Sequence, residues 1–152
     1  MSDARQFCTF YLDKLLFGVE SQSIQEVMRE VELTEVPLAP VEVRGLMNLR
    51  GQIVAALDLR SRLGLPARPG QRPPMCVVVR TAEGALSLLV DDIGDVVEVD
   101  EESFERPPET LSGGVREVIL GVHKLDKQLL HVLDTEQACE TAEHSEAVSA
   151  EG

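Results

Sequence analysis

Turn residues divide this chain into short segments rich in β-branched and other apolar residues, at 7–12, 15–19, 46–49, 53–57, 76–80, 85–90, 96–99, 115–122 and 129–133. Segments of that length and composition, bounded by Gly, Pro, Asp and Asn, read as strands. Helical patterns are few. Residues 59–63 after Asp58 and 135–140 after Asp134 can each make a turn or two, with Asp134 and Gln137 spaced as a capping box. The expected fold class is all-β, built from small barrels with short helices.

The strand pattern repeats. Residues 45–58 and 121–134 align without a gap at an offset of 76: Gly45/Gly121, Leu49/Leu125, Gln52/Gln128, Leu57/Leu133 and Asp58/Asp134 are identical pairs. Upstream, residues 17–28 parallel residues 88–97 more loosely, with a two-residue gap. Each unit reads as hairpin, polar crossing, second hairpin and helical cap, and two such units predict two similar lobes packed together. The expected layout is one domain over residues 5–140, with repeat units 7–63 and 76–140 joined by a Pro/Gly-rich connection at 64–75. Pro37 and Pro40 keep their part of the first unit extended and unsuited to a central strand.

Bulk properties narrow the function. The chain carries 14 Lys+Arg against 27 Asp+Glu, a net charge of -13, which repels phosphate backbones and anionic lipid surfaces. Nucleic acid is therefore an unsuitable partner. Several of the acids fall after residue 136, and 141–152 reads as a solvated acidic tail. No apolar run reaches the roughly 20 residues needed to span a bilayer, and no signal peptide opens the chain, so the expectation is a cytoplasmic protein without direct membrane insertion. Cys8, Cys76 and Cys139 are odd in number and widely spaced, which argues against a disulfide framework and against a zinc site.

The two repeats differ where the hairpin turns. Arg50-Gly51 in the first unit is Asp126-Lys127 in the second, so an arginine at that turn is not required by the hairpin. Gly51 leaves the backbone free to reach positive φ. Arginine suits a docking role because its planar fork binds a carboxylate with two bonds or lies flat on an apolar surface. Glu26 is the candidate carboxylate partner within the same unit.

Catalysis finds little support. His123, His131 and His144 share no useful spacing with a Ser or Cys nucleophile, and Asp91-Asp92, read as strand neighbours, point to opposite faces. No phosphate-loop, zinc-protease or dinucleotide motif occurs. The expectation is a protein that is not an enzyme and that uses no cofactor or metal.

Residues 7–19 followed by Ile24-Gln25-Glu26-Val27, then Pro37 and Pro40, Asn48-Leu49-Arg50-Gly51-Gln52-Ile53-Val54, Asp58-Leu59-Arg60, and Val90-Asp91-Asp92-Ile93-Gly94-Asp95-Val96 resemble the CheW coupling proteins of bacterial chemotaxis. The Asn-Leu-Arg-Gly turn with Asp-Leu-Arg after it is fairly specific for that family and for the related regulatory domain of the CheA histidine kinase. The resemblance implies two packed five-stranded SH3-like barrels around a shared apolar core, and a non-catalytic adaptor. Its implied partners are the cytoplasmic hairpin tip of a chemoreceptor and the regulatory domain of a CheA-type kinase, within membrane-associated receptor arrays. Carried onto this chain, the receptor-binding surface would include Ile24, Glu26, Arg50, Gly51, Met75, Ile93 and Val96, while no residues are assigned to the kinase. The readings weighed against this one are a CheW-like regulator in a gliding or twitching pathway, and a small β-barrel nucleic-acid module.

Overall fold

The computed structural model describes residues 4–29, 31–39, 42–66, 75–82, 84–111 and 113–139. Pro40, most of the expected connection and the acidic tail lie outside the described residues. The chain forms β1 (Ala4–Leu12), β2 (Leu15–Glu20), β3 (Ile24–Met28), β4 (Val43–Leu49), β5 (Gln52–Asp58) and α1 (Leu59–Leu63). After the connection come β6 (Met75–Thr81), β7 (Gly84–Val90), β8 (Asp92–Asp100), β9 (Phe104–Glu105), α2 (Gly113–Glu117), β10 (Ile119–Lys124) and β11 (Leu129–Leu133). Residues 135–139 are helical.

These strands make two sheets, in the orders β3-β6-β7-β5-β4 and β8-β1-β2-β11-β10-β9. The repeat is visible in both, but each sheet draws on both repeats. The leading hairpin β6-β7 of the second unit completes the first sheet through a parallel ladder with β5. The hairpin β1-β2 of the first unit completes the second sheet through a parallel ladder with β11. The sheets thus correspond strand for strand, and the equivalence extends to single bonds. Asp58 N–H donates to the Glu42 carbonyl at 2.6 Å and Asp134 N–H to the Val118 carbonyl at 2.7 Å, both shifted by the repeat offset. Even the two-residue strand β9, paired with Val122 and His123, has a counterpart in the single bridge Thr34↔Leu46.

Alternation on doubly buried strands explains the apolar runs. On β6, Cys76 and Val78 face a cluster inside the first sheet with Met47, Leu49, Val54, Ala56 and Leu89. Val77 and Val79 point the other way, into a larger cluster with Phe10, Phe17, Leu57, Leu88, Val122 and Leu133. Strands of both sheets feed this second cluster, so it is the shared core. Phe7, Leu16, Val99, Leu130 and Val132 form the inner cluster of the second sheet. Each sheet therefore wraps around its own core, as SH3-like folds do, although among the described residues no ladder joins β3 to β4.

Local chemistry sets the ends of α1. The Asp58 carboxylate accepts the Arg60 N–H at 3.1 Å as N-cap, and Gly64 at φ 75° terminates the helix. In the second unit the Asp134 carboxylate accepts the Gln137 N–H at 3.1 Å, one half of the expected capping box, while the Asp134 N–H donates to the Val118 carbonyl in place of the Gln137 side chain. Gly45 and Gly121 are glycines for one shared reason. An added Cβ would come within 2.6 Å of the Thr34 carbonyl oxygen in the first case and 2.4 Å of the Glu105 carbonyl oxygen in the second.

Two readings of the sequence need correction. The strand expected at 115–122 is the helix α2 followed by β10, because Gly113 adopts φ 68° and Val115 and Val118, three apart, turn one helical face into the shared core. The supposed polar crossing at Ile24–Met28 is itself a strand, β3, antiparallel to β6 with a register shift between Ile24 and Glu26.

Candidate functional site

The β4-β5 hairpin turns in two residues. Leu49 and Gln52 form its last pair, Arg50 lies at φ 52° and Gly51 at φ 87°. Positive φ at both central positions is the type I′ geometry whose twist suits a tight hairpin. The Asn48 side-chain oxygen accepts the Gly51 N–H at 2.8 Å and holds the turn. Glycine at position 51 is thus accounted for by conformation. Arginine at position 50 is not, since a Cβ in the left-handed region costs roughly 1 kcal/mol. The equivalent turn of the second unit avoids the issue: it uses four residues, Leu125 N–H donates to the Gln128 carbonyl at 2.9 Å, and no described residue there has positive φ.

Arg50 reaches Glu26. Its Nη2 donates to Glu26 Oε1 at 3.1 Å, with the Arg50 side chain 81% exposed and that of Glu26 26% exposed. Glu26 sits on β3 and Arg50 beside β4, the two end strands of the first sheet, so the pair bridges edges that no ladder joins. An ion pair this open contributes about 0–1 kcal/mol. Its guanidinium remains largely available to another molecule, and Ile53 on the adjoining strand leaves a further apolar surface exposed.

Of the other sequence-predicted residues, Ile24, Met75 and Ile93 are half-buried, and all three pack against the shared core. Ile24 pairs with Val79 and Met75 begins the same strand β6, so the two stand about 13 Å apart at four residues of strand rise. They line an edge of the core and do not form a single spot. Ile93 pairs with Phe10 across β8 and β1, and Val96, exposed on the same edge strand, pairs with Cys8. Gly51 lies in the turn beside Arg50.

The strongest polar contact in the molecule involves two residues that the sequence reading left unpaired. Arg60, only 7% exposed, donates from Nε to Asp91 Oδ1 at 2.8 Å and from Nη2 to Asp91 Oδ2 at 2.5 Å. Its Nη1 donates to the Pro66 carbonyl at 2.8 Å, and the Asp13 N–H donates to Asp91 Oδ2 at 2.7 Å. Hydrogen bonds to Asp91 outweigh burial and raise the Arg60 pKa, so the charge is secure. Asp91 occupies the bend between β7 and β8, so the adjacent acids are not strand neighbours on opposite faces. The available signal was the Asp-Leu-Arg run that starts α1. A buried guanidinium one turn into a helix needs a carboxylate, and Asp91 is the one the exchanged hairpin brings.

His123 and His131 are both buried. His131 Nδ1 donates to the Leu16 carbonyl at 2.9 Å, and His123 Nδ1 lies 2.8 Å from Ser103 Oγ. Burial pushes the His123 pKa down and the Cys76 thiol pKa up, which keeps both neutral. No disulfide links Cys8, Cys76 and Cys139. Among the described residues no His, Cys, Asp and Glu groups gather as a metal site, and no helix is long and apolar enough to cross a membrane.

Comparison with known proteins agrees with this architecture. The CheW-like domain model matches residues 6–143. The chemotaxis protein CheW of Treponema pallidum is 28% identical over 133 residues, 85% of this chain and 78% of that protein. The chemotaxis protein CheW of Helicobacter pylori is 26% identical over 132 residues, 87% of this chain and 79% of its own length. Among solved structures, the scaffolding protein TtCheW from Thermoanaerobacter tengcongensis superposes with a TM-score of 0.77 at 27% identity, covering 88% of this chain and 89% of that one. A match over nearly the whole length, on a fold whose exchanged hairpins and Asn-Leu-Arg-Gly turn are in place, means that this chain belongs to the CheW-like domain family.

Proposed function

We propose that the protein is a non-catalytic chemotaxis adaptor that couples a chemoreceptor to a CheA-type histidine kinase, working in the cytoplasm at membrane-associated receptor arrays. Family membership supports the adaptor role. The observation that carries the receptor-facing assignment is Arg50: an exposed arginine held at positive φ, which the equivalent turn of the second repeat does without. The edge made by Ile24, Met75 and Ile93 supplies apolar surface for a helical hairpin, and the Glu26–Arg50 pair supplies a charged mark that fixes its register. Gly51 keeps the turn low beside the incoming helix, and Val96 extends the apolar surface onto β8.

The test is receptor-stimulated autophosphorylation of the cognate kinase, reconstituted with receptor fragments in membranes. Wild-type protein is expected to raise kinase output, and Arg50→Asp to lose most of that effect while retaining its melting temperature. An Arg50→Asp protein that couples as well as wild type removes the receptor-facing assignment. A wild-type protein that binds neither receptor nor kinase removes the adaptor reading itself.

A further inference from the structure

The two lobes differ in chemistry at equivalent inner positions. Strand registers give the correspondence: Phe7 pairs with Glu20 as Cys76 pairs with Leu89, and the parallel ladders equate Val132 with Ala56. His123 follows Val122 as Met47 follows Leu46, and the short bridges equate Phe104 with Leu33. In the first lobe Met47, Ala56, Cys76 and Leu89 belong to an apolar cluster, with Leu33 packed against it. In the second lobe the five equivalent residues line a cavity of about 410 Å³, with Arg5 and Glu101 at its mouth. A polar Glu20 stands where the first lobe has leucine, and His123 where it has methionine. The fold itself requires neither group.

The lining has a definite chemistry. The His123 ring lies between those of Phe7 and Phe104, with centroids 5.8 and 5.4 Å away, and Leu120 adds exposed apolar surface beside them. Two carboxylates, Glu20 and Glu101, converge at the mouth, and the Arg5 guanidinium binds both, the second at 3.0 Å. The exposed Phe104 ring and Leu120 below and carboxylates above attract an organic cation, and the volume is in the small-ligand range. Burial keeps His123 neutral, so the ring does not repel a positive head.

We propose that this cavity binds a ligand with an apolar body and an ammonium or guanidinium head, and that Arg5 occupies the head position until the ligand displaces it. The head is a free amine or the side chain of a partner polypeptide; the chemistry is the same.

The experiment is a titration of the isotopically labelled full chain followed by amide chemical shifts, with phenethylamine, 2-phenylethanol, phenylacetate and acetyl-Phe-Lys-amide as probes. Phenethylamine is expected to shift Phe104, Leu120 and His123 saturably, with phenylacetate at least about tenfold weaker and the alcohol between them. Arg5→Gln, which frees both carboxylates, is expected to tighten binding of the amine several-fold. The paired change Glu20→Leu and His123→Met, which installs the residues of the first lobe, is expected to abolish it while preserving the melting temperature. Tighter binding of the peptide points to a polypeptide source, and tighter binding of phenethylamine to a free amine; both support the site. Equal binding of amine and phenylacetate, shifts scattered away from the cavity, or weaker binding by Arg5→Gln would each overturn the proposal, and the last is read on a surface variant even if the paired change does not fold.

Discussion

Arg60→Ala should be among the most damaging single changes outside the apolar core. The substitution removes two charge-assisted bonds to Asp91 and one to the Pro66 carbonyl, and it strips a guanidinium that is 7% exposed from between α1, the β1-β2 turn and the β7-β8 bend. Breaking a buried pair by deleting one partner costs about 3–5 kcal/mol, because the other charge is left without compensation. The Asp91 side chain is 18% exposed and keeps the Asp13 N–H, which places the cost near the lower end, about 3 kcal/mol. For a domain of this size that is a fall of about 6–12 °C in melting temperature. Urea denaturation of wild type, Arg60→Ala, Asp91→Asn and the double variant measures it. Each single change should lower stability by about 2–4 kcal/mol, with a coupling of about 2 kcal/mol between them. Single losses below about 1 kcal/mol, or strict additivity, would refute the claim that this pair fastens the exchanged hairpins.

Arg50→Gly should leave stability within about 0.5 kcal/mol, since relief of the positive-φ strain nearly cancels the loss of an exposed ion pair together with glycine's unfolded-state entropy; a urea midpoint checks this, and loss of receptor coupling in the same variant separates function from folding. Gly121→Ala should cost about 1–3 kcal/mol and speed amide exchange in Phe104 and Glu105, because the new methyl would come within 2.3 Å of the Phe104 ring. His123 has its pKa lowered below 6.5 in the folded protein, chiefly by burial and also by Arg5, so the unfolded chain takes up the proton first. Its stabilising contribution is complete above pH 6.5 and is lost as the pH falls below that value, so wild type should lose stability more steeply than His123→Gln between about pH 7 and pH 5.5. Equal slopes in denaturant midpoints would contradict that assignment.

Legibility followed the range of the interactions. The helix at Leu59–Leu63 and the Asp58 and Asp134 caps were readable because they depend on residues within one turn. Arg50 stood out because the aligned position of the internal repeat is an aspartate, although the structure closes that second turn with a different geometry. The strand assigned at 115–122 failed because five apolar residues in eight fit either period, and contact with α1, where Gly114 lies against the Leu63 carbonyl, decided for a helix. Asp91 was legible as an acid but not as a partner, since its arginine lies 31 residues away and on another element.

By itself the sequence determined that this protein would be all-β and capped by short helices, because alternation, turn chemistry and capping are properties of neighbouring residues. The Asn-Leu-Arg-Gly turn was equally local. Tertiary structure alone decided that each repeat lends its first hairpin to the other's sheet, since the parallel ladders β5·β7 and β11·β2 join strands with no sequence relation to advertise their pairing. That exchange sets Arg60 against Asp91 and draws Ile24, Met75 and Ile93 along one shared core.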